Sequence, residues 1–242
     1  FETNVESVHQ LINFDRAVMD FAIEQVSKLH DRLSHKFLNP ADNGQHTLLA
    51  LQNVRTNDSL RRTYRLVANQ GIVLLVAYFG ATVSDIFREG VNRATAPGRQ
   101  PSWSDEELKL AVAELLSIRD ERQSIGELLQ TTKNISFQDM QSIVRAFKDY
   151  LGITPSRNTT MNNIIVAQAC RNVIAHVGGR ADRRLVNQIA KADPRTVKCE
   201  LREGDAIEFA DHEVRAVSES MRVFVDYLAC DVEAAYPVES HG

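Results

Sequence analysis

Paired cysteines, a long apolar run and an excess of positive charge are all missing from this chain, and each absence removes a class of protein. The three cysteines, Cys170, Cys199 and Cys230, are odd in number and scattered, with no CxxC spacing. They do not staple a disulfide-dense secreted fold. Two glycosylation sequons occur, at Asn134 and Asn158, but no basic-then-apolar leader stands in the sequence, so both read as chance matches and a cytoplasmic location is expected. The most apolar run, residues 71–81, stops at Thr82 and Asp85. It is about half of the roughly 20 residues that span a bilayer, so it reads as a buried helix and no membrane partner is expected. The formal charge of -4 argues against a uniformly basic coat for nucleic acid, because such binding is dominated by Lys and Arg neutralising phosphates. There is no GxxxxGK[ST] loop, no GxGxxG and no GxSxG elbow. Nucleotide hydrolysis and dinucleotide redox chemistry lose their usual support.

What is present is a chain of 242 residues, 43% hydrophobic, enough to bury a sizeable core as one large domain. Charge is unevenly placed. Residues 171–202 hold eight basic residues against three acidic ones, a local excess of +5 on an otherwise acidic body. Such a patch suits a confined polyanion site; a salt-bridged, solvated surface is the competing reading.

Apolar spacing predicts an all-α, antiparallel multi-helix bundle with one small β-hairpin. A first amphipathic helix starts near Thr3, spaced from Glu6 as a capping box, and carries Val8, Leu11, Ile12, Val18, Ala22, Val26, Leu29 and Leu33. Turn residues 39–44 end it. A second long helix spans about 59–94, with Gly71 and Gly80 as points of interruption. Ser104 with Glu107 opens a third, and Ser136 a fourth through Met140 to Leu151, ended by Gly152 and Pro155. Thr159 or Thr160 caps a helix that runs into residues 171–176 and stops at Gly178 and Gly179. A short helix through Leu185 and Ile189, a hairpin made of 196–201 and 206–209, and a last helix over about 211–235 complete the expected fold.

The stretch Arg171-Asn172-Val173-Ile174-Ala175-His176 carries the best candidate chemistry. Arg171 supplies a permanently charged fork suited to phosphate oxygens, and His176 a group that gives or takes a proton near neutral pH. On an ideal helix Arg171 lies about 140° from His176, whereas Asn172 lies about 40° from it. Asn172 and His176 therefore share a face, and Arg171 must reach round to join them. With 21 Arg, 7 His and 14 Asn in the chain, chance alone gives roughly 0.6 occurrences of Arg and His at this spacing, and roughly 0.04 once Asn follows the Arg. The competing reading is a helix end at which Arg and His favour the macrodipole and cap carbonyls.

These residues resemble the Arg-polar-x-x-x-His motif of the HEPN family of small helical domains, and the long flanking helices are similar to that family's antiparallel bundle. The resemblance implies a single HEPN-like domain over residues 1–242 with the hairpin as an insertion near 196–210. It also implies a metal-independent endoribonuclease with a toxin-like or antiviral defence role. In that reading Arg171, Asn172 and His176 are catalytic, and no cofactor or metal is expected. His176 assists deprotonation of the 2'-hydroxyl or protonation of the leaving 5'-oxygen, while Arg171 stabilises the charge that develops on the phosphate. One imidazole for two proton transfers makes a symmetric homodimer attractive. Arg180, Arg183 and Arg184 are expected to contact RNA. Arg61, Arg62 and Arg65 join them, because they crowd the first turns of a helix where positive charge opposes the macrodipole, with Tyr64 as a stacking group. Expected partners are RNA, a second copy of the chain, and an antitoxin or regulatory protein.

Other chemistries are poorer. His30-Asp31 lacks a second ligand cluster for a metal, and Cys170, about 240° from His176 on an unbroken helix, reads as a buried thiol rather than a nucleophile. A non-catalytic helical module that binds RNA or a protein partner is the alternative from another class. A DNA-binding protein is disfavoured by the acidic whole and the lack of a basic recognition helix.

Overall fold

A computed structural model describes the chain except for residues 37–42, 57, 106, 108–110, 113–115, 117–123, 177 and 238–242, and except for the side chains of 15, 16, 19, 30, 32–36, 43–45, 54–56 and 58–65. The described residues form α1 (Glu2–Lys36), α2 (Asn43–Thr56), α3 (Asp58–Ala94), α4 (Ile125–Thr132), α5 (Met140–Leu151), α6 (Thr159–His176), α7 (Arg183–Ala190) and α8 (Asp211–Ala235). The expected helix opening at Ser104 falls mostly outside them.

The centre of the fold is α3. Ile72, Leu75, Val76, Phe79, Val83, Phe87 and Val91 recur at spacings of one to four residues and are all buried, so one stripe of α3 meets α1, α4, α5, α6 and α8. Phe87 gathers Phe137, Phe147 and Tyr150 within 6.0 Å between ring centroids, and Phe79 meets Phe224 at 5.9 Å. By length and hydropathy the segment Leu66–Ala94 is long and apolar enough to cross a bilayer, with half of its most apolar window buried in the fold. The apolar run 71–81 is thus the middle of a longer apolar segment that extends beyond Thr82 and Asp85. Nor do Gly71 and Gly80 interrupt α3. Each is a point of close approach: a Cβ at Gly71 would lie 2.5 Å from Ile12 Cδ1, and one at Gly80 would lie 3.1 Å from the Phe137 carbonyl oxygen.

Several helix starts differ from expectation by a few residues. Thr3 lies inside α1 rather than capping it. Asp139, not Ser136, caps α5 by accepting from the Ser142 N–H at 2.9 Å. Asn158, not Thr159 or Thr160, accepts from the Met161 N–H at 3.0 Å at the start of α6. In both cases a short side-chain oxygen directly before the helix reaches an otherwise unpaired N–H of the first turn.

The expected hairpin does not form. Residues 196–201 make no strand, and Lys198 takes a left-handed φ of +51°, which breaks an extended run. Residues 204–207 lie instead against 179–181: Gly204 N–H donates to Ala181 O at 2.7 Å, Ala181 N–H to Asp205 O at 2.9 Å, and Ile207 N–H to Gly179 O at 2.8 Å. The result is a single antiparallel bridge between Arg180 and Ala206.

Buried polar side chains from the helices replace the missing ladder. Asn163 Nδ2 donates to Thr196 Oγ1 at 3.0 Å and to Ser220 Oγ at 3.1 Å, while its Oδ1 accepts from the Thr196 N–H. Asn162 Nδ2 donates to Pro194 O. Asn69 on α3 donates to Ile207 O at 2.6 Å and accepts from Phe209 N–H at 3.0 Å, as a neighbouring strand would. Lys198 and Glu213 form a buried ion pair at 2.7 Å, with the Lys198 ammonium 4.3 Å from the Phe209 ring centre. Unpaired backbone groups inside a core are costly, and these side chains satisfy them without a sheet.

Candidate nucleic-acid site at the end of the sixth helix

The last turns of α6 leave the core. Residues 161–164 and 166–170 are buried, whereas Asn172, Ala175 and His176 are exposed. Gly178 and Gly179, at φ of +75° and +71°, then reverse the chain. The Gly179 N–H donates to Val173 O at 3.1 Å, the bond that closes a helix through left-handed glycine. The turn brings Asp182 to the mouth of the site, where its carboxylate accepts from the Leu185 N–H at 2.7 Å and starts α7. Leu185 and Ile189 are buried and seat α7 against α6.

Between the two helices lies a cleft of about 230 Å³. Asn172, His176, Asp182, Arg184 and Gln188 form its polar wall, over an apolar floor that includes Val173 and Leu185. The shared face of Asn172 and His176 expected from helical geometry is therefore a shared cleft. Arg171 does not enter it. Its guanidinium donates to the Gln138 side-chain oxygen in the connection between α4 and α5, and its buried Nε has no hydrogen-bond partner. The angular separation of Arg171 and His176 on α6 persists in the folded chain.

The other expected contacts divide. Arg183 and Arg184 are exposed on α7, and beside the cleft they line an open groove of about 510 Å³ with Asn187, Gln188 and Lys191. Arg180 is exposed but donates to Gly204 O at 3.0 Å and so holds the bridge region. Arg61, Arg62 and Arg65 fall in the first two turns of α3, but their side chains lie outside the described residues. Sequence reasoning missed Gln138, Asp182, Asn187 and Gln188. Only their seating next to the motif marks them, and nothing in their spacing along the chain does so.

No known protein family, curated protein or solved structure matches the chain.

Cys170, fully buried, has its thiol pushed up to about 12 by burial, so it stays protonated and inert as a nucleophile. Among the described residues no three His, Cys, Asp or Glu side chains are grouped to hold a metal ion.

Proposed function

We propose that the chain is a metal-independent endoribonuclease that cleaves at the α6–α7 cleft. The observation that carries this reading is the exposure of Asn172 and His176 together in one cleft, with the Arg184 cation on its wall. An RNA 2'-hydroxyl attacks the adjacent phosphorus, the bond from phosphorus to the 5'-oxygen breaks, and a 2',3'-cyclic phosphate and a 5'-hydroxyl result. His176 takes the 2'-hydroxyl proton, and the second proton goes to the leaving 5'-oxygen from His176 of another copy, which makes the active unit a homodimer. Asn172 orients the imidazole or the phosphate. Arg171 stabilises the developing phosphate charge once it releases Gln138. A toxin-like or antiviral role, and an antitoxin or regulatory partner, follow from the family resemblance alone.

Purified protein incubated with an RNA and a DNA of the same sequence, each with and without EDTA, tests the reading. Cleavage of RNA alone, unaffected by chelation and leaving the cyclic end, is expected; cutting that stops in EDTA sinks the mechanism. One observation favours a second reading. Arg171 is bound to Gln138 and outside the cleft, which suits a non-catalytic module that binds RNA through the same basic surface. Binding without cleavage in the same assay selects it.

A further inference from the structure

Helix α7 presents two unlike faces. Leu185 and Ile189 are buried against the bundle, whereas Arg183, Arg184, Asn187, Gln188 and Lys191 recur on the opposite side at helical spacing and are all exposed. These five line the open groove, and two of them, Arg184 and Gln188, also line the His176 cleft. Cleft and groove are therefore neighbouring parts of one concave surface, joined at Arg184 and Gln188.

The charges on this face are uncommitted. Among the described residues, no ion pair or hydrogen bond occupies the side chains of Arg183, Arg184 or Lys191. The nearest acid in sequence, Asp182, holds the Leu185 N–H, and Asp193 faces Arg195 at 3.9 Å. Arg183 and Arg184 also occupy the first turn of α7, which has no acidic residue. Cations there oppose the helix macrodipole; the Asp182 carboxylate at the N-cap offsets part of that, and a bound polyanion would offset more.

We propose that the exposed face of α7 is a track for single-stranded RNA that holds the phosphates flanking the one seated at His176. The track rests on the reading of the cleft as an RNA site and adds to it the form of the substrate. Eight residues of helix measure about 12 Å, room for about two successive phosphates of one extended strand. Arg183 and Lys191 stand at opposite ends of the face as phosphate contacts. Asn187 and Gln188 between them offer amide donors and acceptors to sugar or base edges. Recognition of duplex RNA needs contacts spread across successive grooves, and the cations here are confined to one short helix face.

The test is a titration of a fluorescent oligouridine by anisotropy over a range of salt, in the full chain carrying His176→Ala so that binding is read without cutting. Adding Arg183→Gln and Lys191→Gln should weaken binding about tenfold at low salt. It should also flatten the log–log salt dependence by about 1.4, since each lost single-strand phosphate contact removes about 0.7. Arg222→Gln, at a residue paired with Glu2 and Glu219, should leave both quantities unchanged. If the double change perturbs the helical circular-dichroism signal, Lys191→Gln alone is read, with about half the change in slope. Unchanged affinity and slope overturn the track, and an equal loss for a duplex of matched length overturns its preference for single strands. Failure of the unsubstituted protein to cleave, with the slope change present, removes the catalytic reading and keeps the track. Cleavage with no slope change removes the track alone.

Discussion

Two sets of polar residues share α6 and its surroundings, and they serve opposite ends. The inner set, Asn162 and Asn163 with Asn69, Lys198, Glu213 and Ser220, is buried, and its members are bonded to backbone or to one another. The outer set, Asn172 and His176 with Arg183, Arg184 and Lys191, stands in solvent. Both contain Asn and charged residues. The difference teaches that residue type alone does not mark a site. A buried polar group without a partner is destabilising, so most are bonded, with Arg171 Nε among the exceptions, while an exposed one keeps its donors for solvent or a ligand.

The sharpest break of this contrast is expected at Glu213. Glu213→Ala strands the Lys198 ammonium in the core and should lower the unfolding free energy by about 3–5 kcal/mol, read by urea denaturation. Lys198→Met combined with Glu213→Ala should recover most of that loss, because an apolar pair needs no desolvation. A double variant as unstable as the single one would mean that the backbone bonds Glu213 makes to Lys198 and Ala210 matter more than the ion pair.

Asn69→Ala comes next. It leaves Ile207 O and Phe209 N–H unpaired in the core and should cost about 2–4 kcal/mol. Faster hydrogen exchange confined to residues 204–210 should accompany it.

Acid should act on the fold through two groups, the half-buried His9 and the buried Glu213 of the inner set. Burial and the neighbouring Arg215 lower the His9 pKa, and its Nε2 lies 2.9 Å from Ser218 Oγ. Its contribution to stability is complete above about pH 6.5 and declines as pH falls below it. The Glu213 carboxyl is penalised by burial, which raises its pKa, but the bonds from Lys198 and Ala210 outweigh that and hold it below the ordinary value. Its contribution is present above about pH 4.5 and is lost as pH falls through the lower folded value. Urea midpoints measured against pH should therefore fall in two stages, and His9→Gln should remove the first.

The smallest stability change is expected at His176. His176→Ala should shift unfolding by less than about 0.5 kcal/mol because the side chain is exposed, yet abolish RNA cleavage. A large loss of stability instead would move His176 into the inner set.

Much of the helical layout was legible because apolar periodicity directly records burial. Helix α8 runs over Asp211–Ala235 as the spacing predicts, and α7 forms around Leu185 and Ile189. Helix α1 was less well read. Val8 is buried, but Leu11, Val18 and Leu29 from the same apolar set are exposed, as are Phe14 and Phe21, so one apolar stripe is buried at some points along the helix and exposed at others. The hairpin failed because β-rich composition fixes no partner. The helices supplied bonds through Asn69, Asn163 and Glu213, residues up to 140 positions from the groups they satisfy.

The sequence by itself determined that α6 ends at paired glycines and that Asn172 and His176 share a face while Arg171 does not, since a helix of 3.6 residues per turn sets those angles locally. Only the tertiary structure decided what each face meets. Gln138, 33 residues before Arg171, takes its guanidinium, and α7 folds back to build the cleft around His176. Both follow from packing between elements distant in the chain, which local spacing does not encode.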